Sequence, residues 1–133
     1  MPGPNEILQL VGGPISALLE CYRANHTTPD EVIDVIVDAS TALADNPIWV
    51  TPPDRTILQT YLHRLRQTDP NSLPLWGVPF AVKDNIDVFG MPTTAGCPAF
   101  VYHPESSAFV VQRLIDAGAI PVGKTNLDQF ATG

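Results

Sequence analysis

Between Leu75 and Asn85 the chain reads Leu-Trp-Gly-Val-Pro-Phe-Ala-Val-Lys-Asp-Asn, an apolar run that ends in a lysine. At strand period, Val78, Phe80 and Val82 face one way, while Gly77, Pro79, Ala81 and Lys83 face the other. Lys83 therefore stands on a face lined with small residues, with room beside it. Pro79 donates nothing to a β-ladder, which confines this strand to a sheet edge or a bulge. Spacing alone is also satisfied by a strand-end lysine that snorkels its amine to water.

The period changes at this point, because the preceding residues read as helices. Ile15, Leu18, Leu19 and Tyr22 recur at helical spacing between Pro14 and Ala24. Thr28-Pro29-Asp30-Glu31 is a capping box with proline at the first helical position. The helix it opens should run to about Leu43, burying Val32, Ile33, Ile36 and Val37 and exposing Asp34 and Asp38. Ile48-Trp49-Val50 reads as a short strand. Pro53 and Asp54 then open a helix with the apolar stripe Ile57, Leu58, Tyr61, Leu62 and Leu65.

After the loop Gln67 to Pro74 come the Val78 to Val82 strand, an extended continuation over Asn85 to Val88, and a turn at Gly90-Met91-Pro92. Ser106 to Ala117 reads as a helix with a serine N-cap and Gly118 as its left-handed stop. Ala119 to Gly123 is a short buried strand, followed by a loop at Lys124-Thr125-Asn126 and a helix from Leu127. The expected organisation is a leading helical segment, 1–70, and the start of an α/β core, 71–133.

A chain of 133 residues with 44% hydrophobic and 16% charged residues is globular and long enough for one core. A net charge of −7 with only seven Lys and Arg argues against a nucleic-acid surface. Cys21 and Cys97 are too few for a disulfide framework and read as reduced thiols. No basic leader opens the sequence and no apolar run reaches ~20 residues, so a cytoplasmic location without membrane insertion is expected.

One pattern is a decoy. Gly118 to Thr125 satisfies the phosphate-loop spacing GxxxxGK[ST] letter for letter. A helix precedes Gly118, however, where the phosphate loop needs a strand. Ile120 to Val122 fills the would-be cradle, and Pro121 removes one amide. His26, His63 and His103 are scattered and read as surface residues rather than metal ligands.

Several stretches together resemble a known family. They are Gly77 to Asp87, Gly90-Met91-Pro92-Thr93-Thr94-Ala95-Gly96-Cys97, Phe109 to Leu114, and Asp116 to Gly133, with Asn46-Pro47-Ile48-Trp49 upstream. Together they are similar to the beginning of an amidase-signature hydrolase, and within that family to allophanate hydrolases. The resemblance covers nearly all of the C-terminal half and is weak from Met1 to Asp45. It implies a mixed β-sheet flanked by α-helices, of which this chain holds the N-terminal portion. It also implies hydrolysis of allophanate to ammonia and carbon dioxide without metal or organic cofactor, alongside a urea carboxylase activity.

By motif position Lys83 corresponds to the lysine of the family's Ser–Ser–Lys group. The resemblance places both serines in a Gly/Ser-rich segment that would follow Gly133, so the chain alone is expected to be inactive and to fold marginally. A serine hydroxyl is a poor nucleophile until a base takes its proton, and a lysine is a base only when neutral. Desolvation favours the neutral amine. Asp84 and Asn85 could orient Lys83 or bind nearby backbone amides, and Asp128 and Gln129 could pack on neighbouring elements or reach the substrate cavity. Three other readings are a different amidase, including the amidase-like component of a tRNA-dependent amidotransferase, a noncatalytic fragment that binds a partner through an unfilled sheet edge, and a truncated gene product with no function of its own. The residues leave the oligomeric state open.

Overall fold

The computed structural model describes residues 2–127. Helices α1 (Pro4–Val11), α2 (Ile15–Arg23) and α3 (Pro29–Ala42) lead, followed by strand β1 (Trp49–Thr51) and helix α4 (Arg55–Arg66). Strand β2 (Pro79–Lys83), a 3-10 turn at Pro98–Phe100, helix α5 (Phe109–Asp116) and strand β3 (Ile120–Thr125) complete the order.

The helices start where local chemistry supplies caps. Thr28 accepts the backbone N–H of Glu31 at 3.2 Å, with Pro29 at the head of α3. Asp54 does the same for α4, accepting from Thr56 at 2.7 Å and Ile57 at 3.4 Å. From α3, Val32 and Ile33 enter the core, whereas Ile36 and Val37, expected there too, are only partly buried at its margin. From α4, Leu58, Leu62 and Leu65 are buried, and Ile57 and Tyr61 flank them. Helix α1 was not expected; a proline head and the buried Ile7 anchor it.

The sheet has the order β1-β3-β2, with β1 antiparallel and β2 parallel to β3. A parallel pair requires a crossover, and α5 provides it. β2 is an outer strand, and its register shifts between Phe80 and Ala81. Both features suit Pro79, which the sequence confined to an edge or a bulge. Val82, Ile120 and Val122 of the sheet share one apolar cluster with Tyr22, Val32, Leu58, Leu62, Trp76, Val88, Met91 and Ile115.

Three boundaries differ from expectation. The chain does not continue extended after Lys83; it turns at once, with Ile86 N–H donating to the Lys83 carbonyl at 3.0 Å. Helix α5 starts at Phe109 rather than Ser106, with Ala108 at its cap position. Ser107 is not its cap, because its hydroxyl accepts the Phe89 N–H at 2.9 Å across the connection. Strand β3 runs on through Lys124 and Thr125, which were expected in a loop. Gly118 does stop α5, at φ 100°, and a Cβ there would lie 2.8 Å from the Trp76 Cα. The helix expected from Leu127 lies outside the described residues apart from Leu127 itself.

Some apolar residues remain open. Ile15, Phe89, Phe109 and Val110 are each more than half exposed. No helix among the described residues is long and apolar enough to cross a membrane.

Candidate active site

Lys83 is the last residue of β2, opposite Thr125 of β3. The alternation read from the sequence holds locally: Val82 is buried, whereas Ala81 and Lys83 are exposed on the other face. Within these residues the Lys83 amine is therefore solvated.

The residue after it is fixed far more tightly. Asp84 is fully buried. Its N–H donates to the Thr125 carbonyl at 3.1 Å, and its carbonyl accepts from Ala95 N–H at 3.1 Å. One carboxylate oxygen, Oδ2, accepts from the Thr94 N–H at 3.1 Å and from the Thr94 hydroxyl. The other, Oδ1, lies 3.1 Å from Lys124 Nζ, in an ion pair whose side chains are both 0% exposed. The ammonium approaches Oδ1 off the hydrogen-bonding direction, so this contact is electrostatic.

Lys124 also donates to the Pro92 carbonyl and the Thr93 hydroxyl, each at 3.3 Å. An ammonium has three protons, and three oxygens surround this one. Thr93 donates onward to Asp87 at 2.9 Å, and the same Asp87 oxygen accepts from the Tyr102 hydroxyl at 2.6 Å. That hydrogen bond is the main reason the Tyr102 hydroxyl titrates above its ordinary range. The connection after β2 is bent to fit, with Ala95 at φ 52° and Gly96 at φ 77°.

Sequence reasoning placed Asp84 beside Lys83 as an orienting or amide-binding group. The amide it binds is ten residues away, and its charge partner is Lys124. Lys124 itself was missed, being read as part of a loop. Asn85 lies exposed in the turn, and Asp128 and Gln129 are outside the described residues. The phosphate-loop decoy is β3 itself, so the amides of Ile120 to Thr125 belong to a strand rather than to a cradle. His26, His63 and His103 are all exposed, and Cys21 and Cys97 are free thiols, each partly buried.

A profile of the family named Amidase matches residues 44–133, the stretch that contains both lysines and Asp84. The chain belongs to the amidase family. Over 103 residues it is 46% identical to a urea amidolyase of Saccharomyces cerevisiae, covering 77% of this chain and 6% of that protein. An allophanate hydrolase structure from Kluyveromyces lactis superimposes with a TM-score of 0.78 at 38% identity, covering 92% of this chain and 20% of that one. A glutamyl-tRNA(Gln) amidotransferase component of Lawsonia intracellularis is 51% identical over 72 residues, 53% of this chain and 15% of that protein. The chain thus spans a small part of the relatives it matches. Within the amidase family it is similar to urea amidolyases and to an allophanate hydrolase.

Proposed function

We propose that this chain forms the lysine-bearing part of an allophanate hydrolase in which Lys83 is the general base. The observation that carries the reading is the placement of Lys83 on the open, small-residue face at the end of β2, inside the stretch matched to the amidase family. In the completed site, neighbouring polypeptide removes water from this face and keeps the amine neutral. The amine then draws the proton of a nucleophilic serine through a bridging serine. The serine oxygen adds to the amide carbonyl, ammonia leaves, and water hydrolyses the acyl-enzyme. Hydrolysis releases an N-carboxylated carbamate, which loses carbon dioxide to give carbamate, and carbamate breaks down to ammonia and a second carbon dioxide. A urea carboxylase activity supplies the substrate.

The reading is tested by ammonia release from allophanate, short amides and glutamine. The assay uses the chain alone and the complete hydrolase, meaning this chain together with a serine-bearing portion. We expect turnover of allophanate by the complete hydrolase, none by the chain alone, and none by the Lys83→Met hydrolase. Undiminished turnover in Lys83→Met sinks the reading. Preference for glutamine would favour the amidotransferase reading, which the 51% identity to the Lawsonia intracellularis protein supports.

A further inference from the structure

We infer that the buried Asp84–Lys124 ion pair is a positioning device for Lys83, and this inference rests on the general-base reading above. A lysine and an aspartate with no exposure at all are expensive to bury, and each would be more expensive alone. Their place in the fold shows what the pair holds. Asp84 follows Lys83 directly, and the chain turns at this point, so the Lys83 backbone lies between two anchors. On one side, β2 pairs with β3, with Val82 opposite Lys124 and Lys83 opposite Thr125. On the other, Asp84 is bound through its N–H, its carbonyl and both carboxylate oxygens to Thr125, Ala95, Thr94 and Lys124.

Strand alternation completes the arrangement. Lys124 points into the protein with Val82, whereas Lys83 points out on the opposite face. The two lysines therefore take opposite tasks on adjacent strands. Lys124 is ringed by Asp84, Pro92 and Thr93 and clamps the connection that follows β2. Among the described residues no carboxylate forms an ion pair with Lys83, and the one beside it in sequence is paired with Lys124. The pair carries no net charge, so it fixes the Lys83 backbone without a lone charge under the amine that must become neutral. Among the described residues, Asp87 and Tyr102, joined to each other and to Thr93, are the other titratable groups of this network.

The test is made in the complete hydrolase, with Lys83→Met as the reference for the base reading. Asp84→Asn leaves Lys124 as a lone cation, which disfavours a second cation nearby, so the acid limb of the turnover profile should move to lower pH. Lys124→Met leaves Asp84 as a lone anion, and the limb should move to higher pH. In both, kcat should fall about a hundredfold while KM stays within about threefold, as expected when a base is misplaced rather than substrate lost. A residue that merely supports the fold would not shift the limb in opposite directions.

If either single variant fails to fold, the neutral double variant Asp84→Asn/Lys124→Met carries the test. An at least tenfold lower kcat at unchanged KM then supports the inference, and turnover within about twofold of the parent overturns it. If Lys83→Met is inactive while both single variants keep their pH limbs and lose turnover only as their folded fraction falls, the pair is a structural prop. In that outcome the base reading stands and the positioning inference is overturned.

Discussion

Tyr22, on α2, donates its hydroxyl to the carbonyl of Gly77, 55 residues later, at 2.8 Å. The bond ties the leading helices to the segment that delivers β2, and Tyr22 is buried. The Tyr22 ring meets Trp76 edge-on at 5.3 Å between centroids. Gly77 sits at φ 77°, and a Cβ there would lie 2.7 Å from Tyr22 Cε2 and 2.9 Å from Pro29 Cγ.

Gly77→Ala should therefore destabilise the chain by about 2–4 kcal/mol, combining left-handed backbone strain with overpacking. Tyr22→Phe should cost about 1–3 kcal/mol, because it leaves a buried carbonyl without its donor. Urea unfolding of the two variants measures both. A Gly77→Ala variant as stable as the parent would show that the contact is loose.

The same burial makes stability depend on pH at the alkaline end. Burial pushes the Tyr22 hydroxyl well above the ordinary tyrosine range. The unfolded state releases this proton near pH 10, while the folded state holds it. The contribution is full below about pH 10 and is lost as pH rises beyond it, at up to ~1.4 kcal/mol per pH unit. Tyr61 is raised by burial and Tyr102 chiefly by its bond to Asp87, so both add to the fall. Stability measured from pH 8 to 11 should decline above about pH 10, and Tyr22→Phe should flatten the decline.

The caps separate what local sequence dictates from what it does not. Thr28→Ala and Asp54→Ala should each cost about 1 kcal/mol, since each side chain binds amides at a helix start. Ser106→Ala should be nearly neutral, within about 0.5 kcal/mol, because α5 begins three residues later. Ser107→Ala should cost about 1 kcal/mol by removing the acceptor of the Phe89 N–H rather than by uncapping a helix. Equal losses at Ser106 and Thr28 would contradict this assignment.

Local chemistry explains why some elements were readable in the sequence. The Thr28-Pro29-Asp30-Glu31 box, the α4 stripe and the left-handed stop at Gly118 depend on neighbours within four residues. So does the alternation that sends Val82 inward and Lys83 outward. The resemblance that linked Lys83 to an amidase was carried by several stretches between Asn46 and Gly133, and the family match covers residues 44–133. Lys124 was hidden because its partner lies 40 positions earlier and no local rule buries a lysine at the end of a strand. Its glycine-flanked setting also spells a phosphate loop, which drew attention to the wrong chemistry. Ser107 was misread for a related reason, since its hydroxyl serves Phe89 on another segment. Helix α1 lacks a side-chain cap, and it is held by packing that only the folded chain supplies.

Stability should register the buried pair in a way that identifies it. Removing one partner leaves an uncompensated charge, so Asp84→Asn and Lys124→Met should each cost about 3–5 kcal/mol. The double variant should cost less than the sum of the two, because it leaves no lone charge to bury. Urea unfolding of the cycle gives the coupling directly. Additive losses would mean that the 3.1 Å contact contributes nothing beyond the packing of each side chain.

Lys83 should behave in the opposite manner. Its side chain is exposed, so Lys83→Met should change the stability of this chain by no more than about 0.5 kcal/mol. In the complete hydrolase the same substitution should abolish turnover, since methionine fills the space of lysine but cannot accept a proton. Asp84→Asn should lower both stability and turnover. A residue that matters to rate alone and a neighbour that matters to both is the pattern expected of a base standing on a rigid platform. The paired measurement is urea unfolding of the chain and ammonia release by the hydrolase. Loss of both properties in Lys83→Met would move that residue from the chemistry to the scaffold.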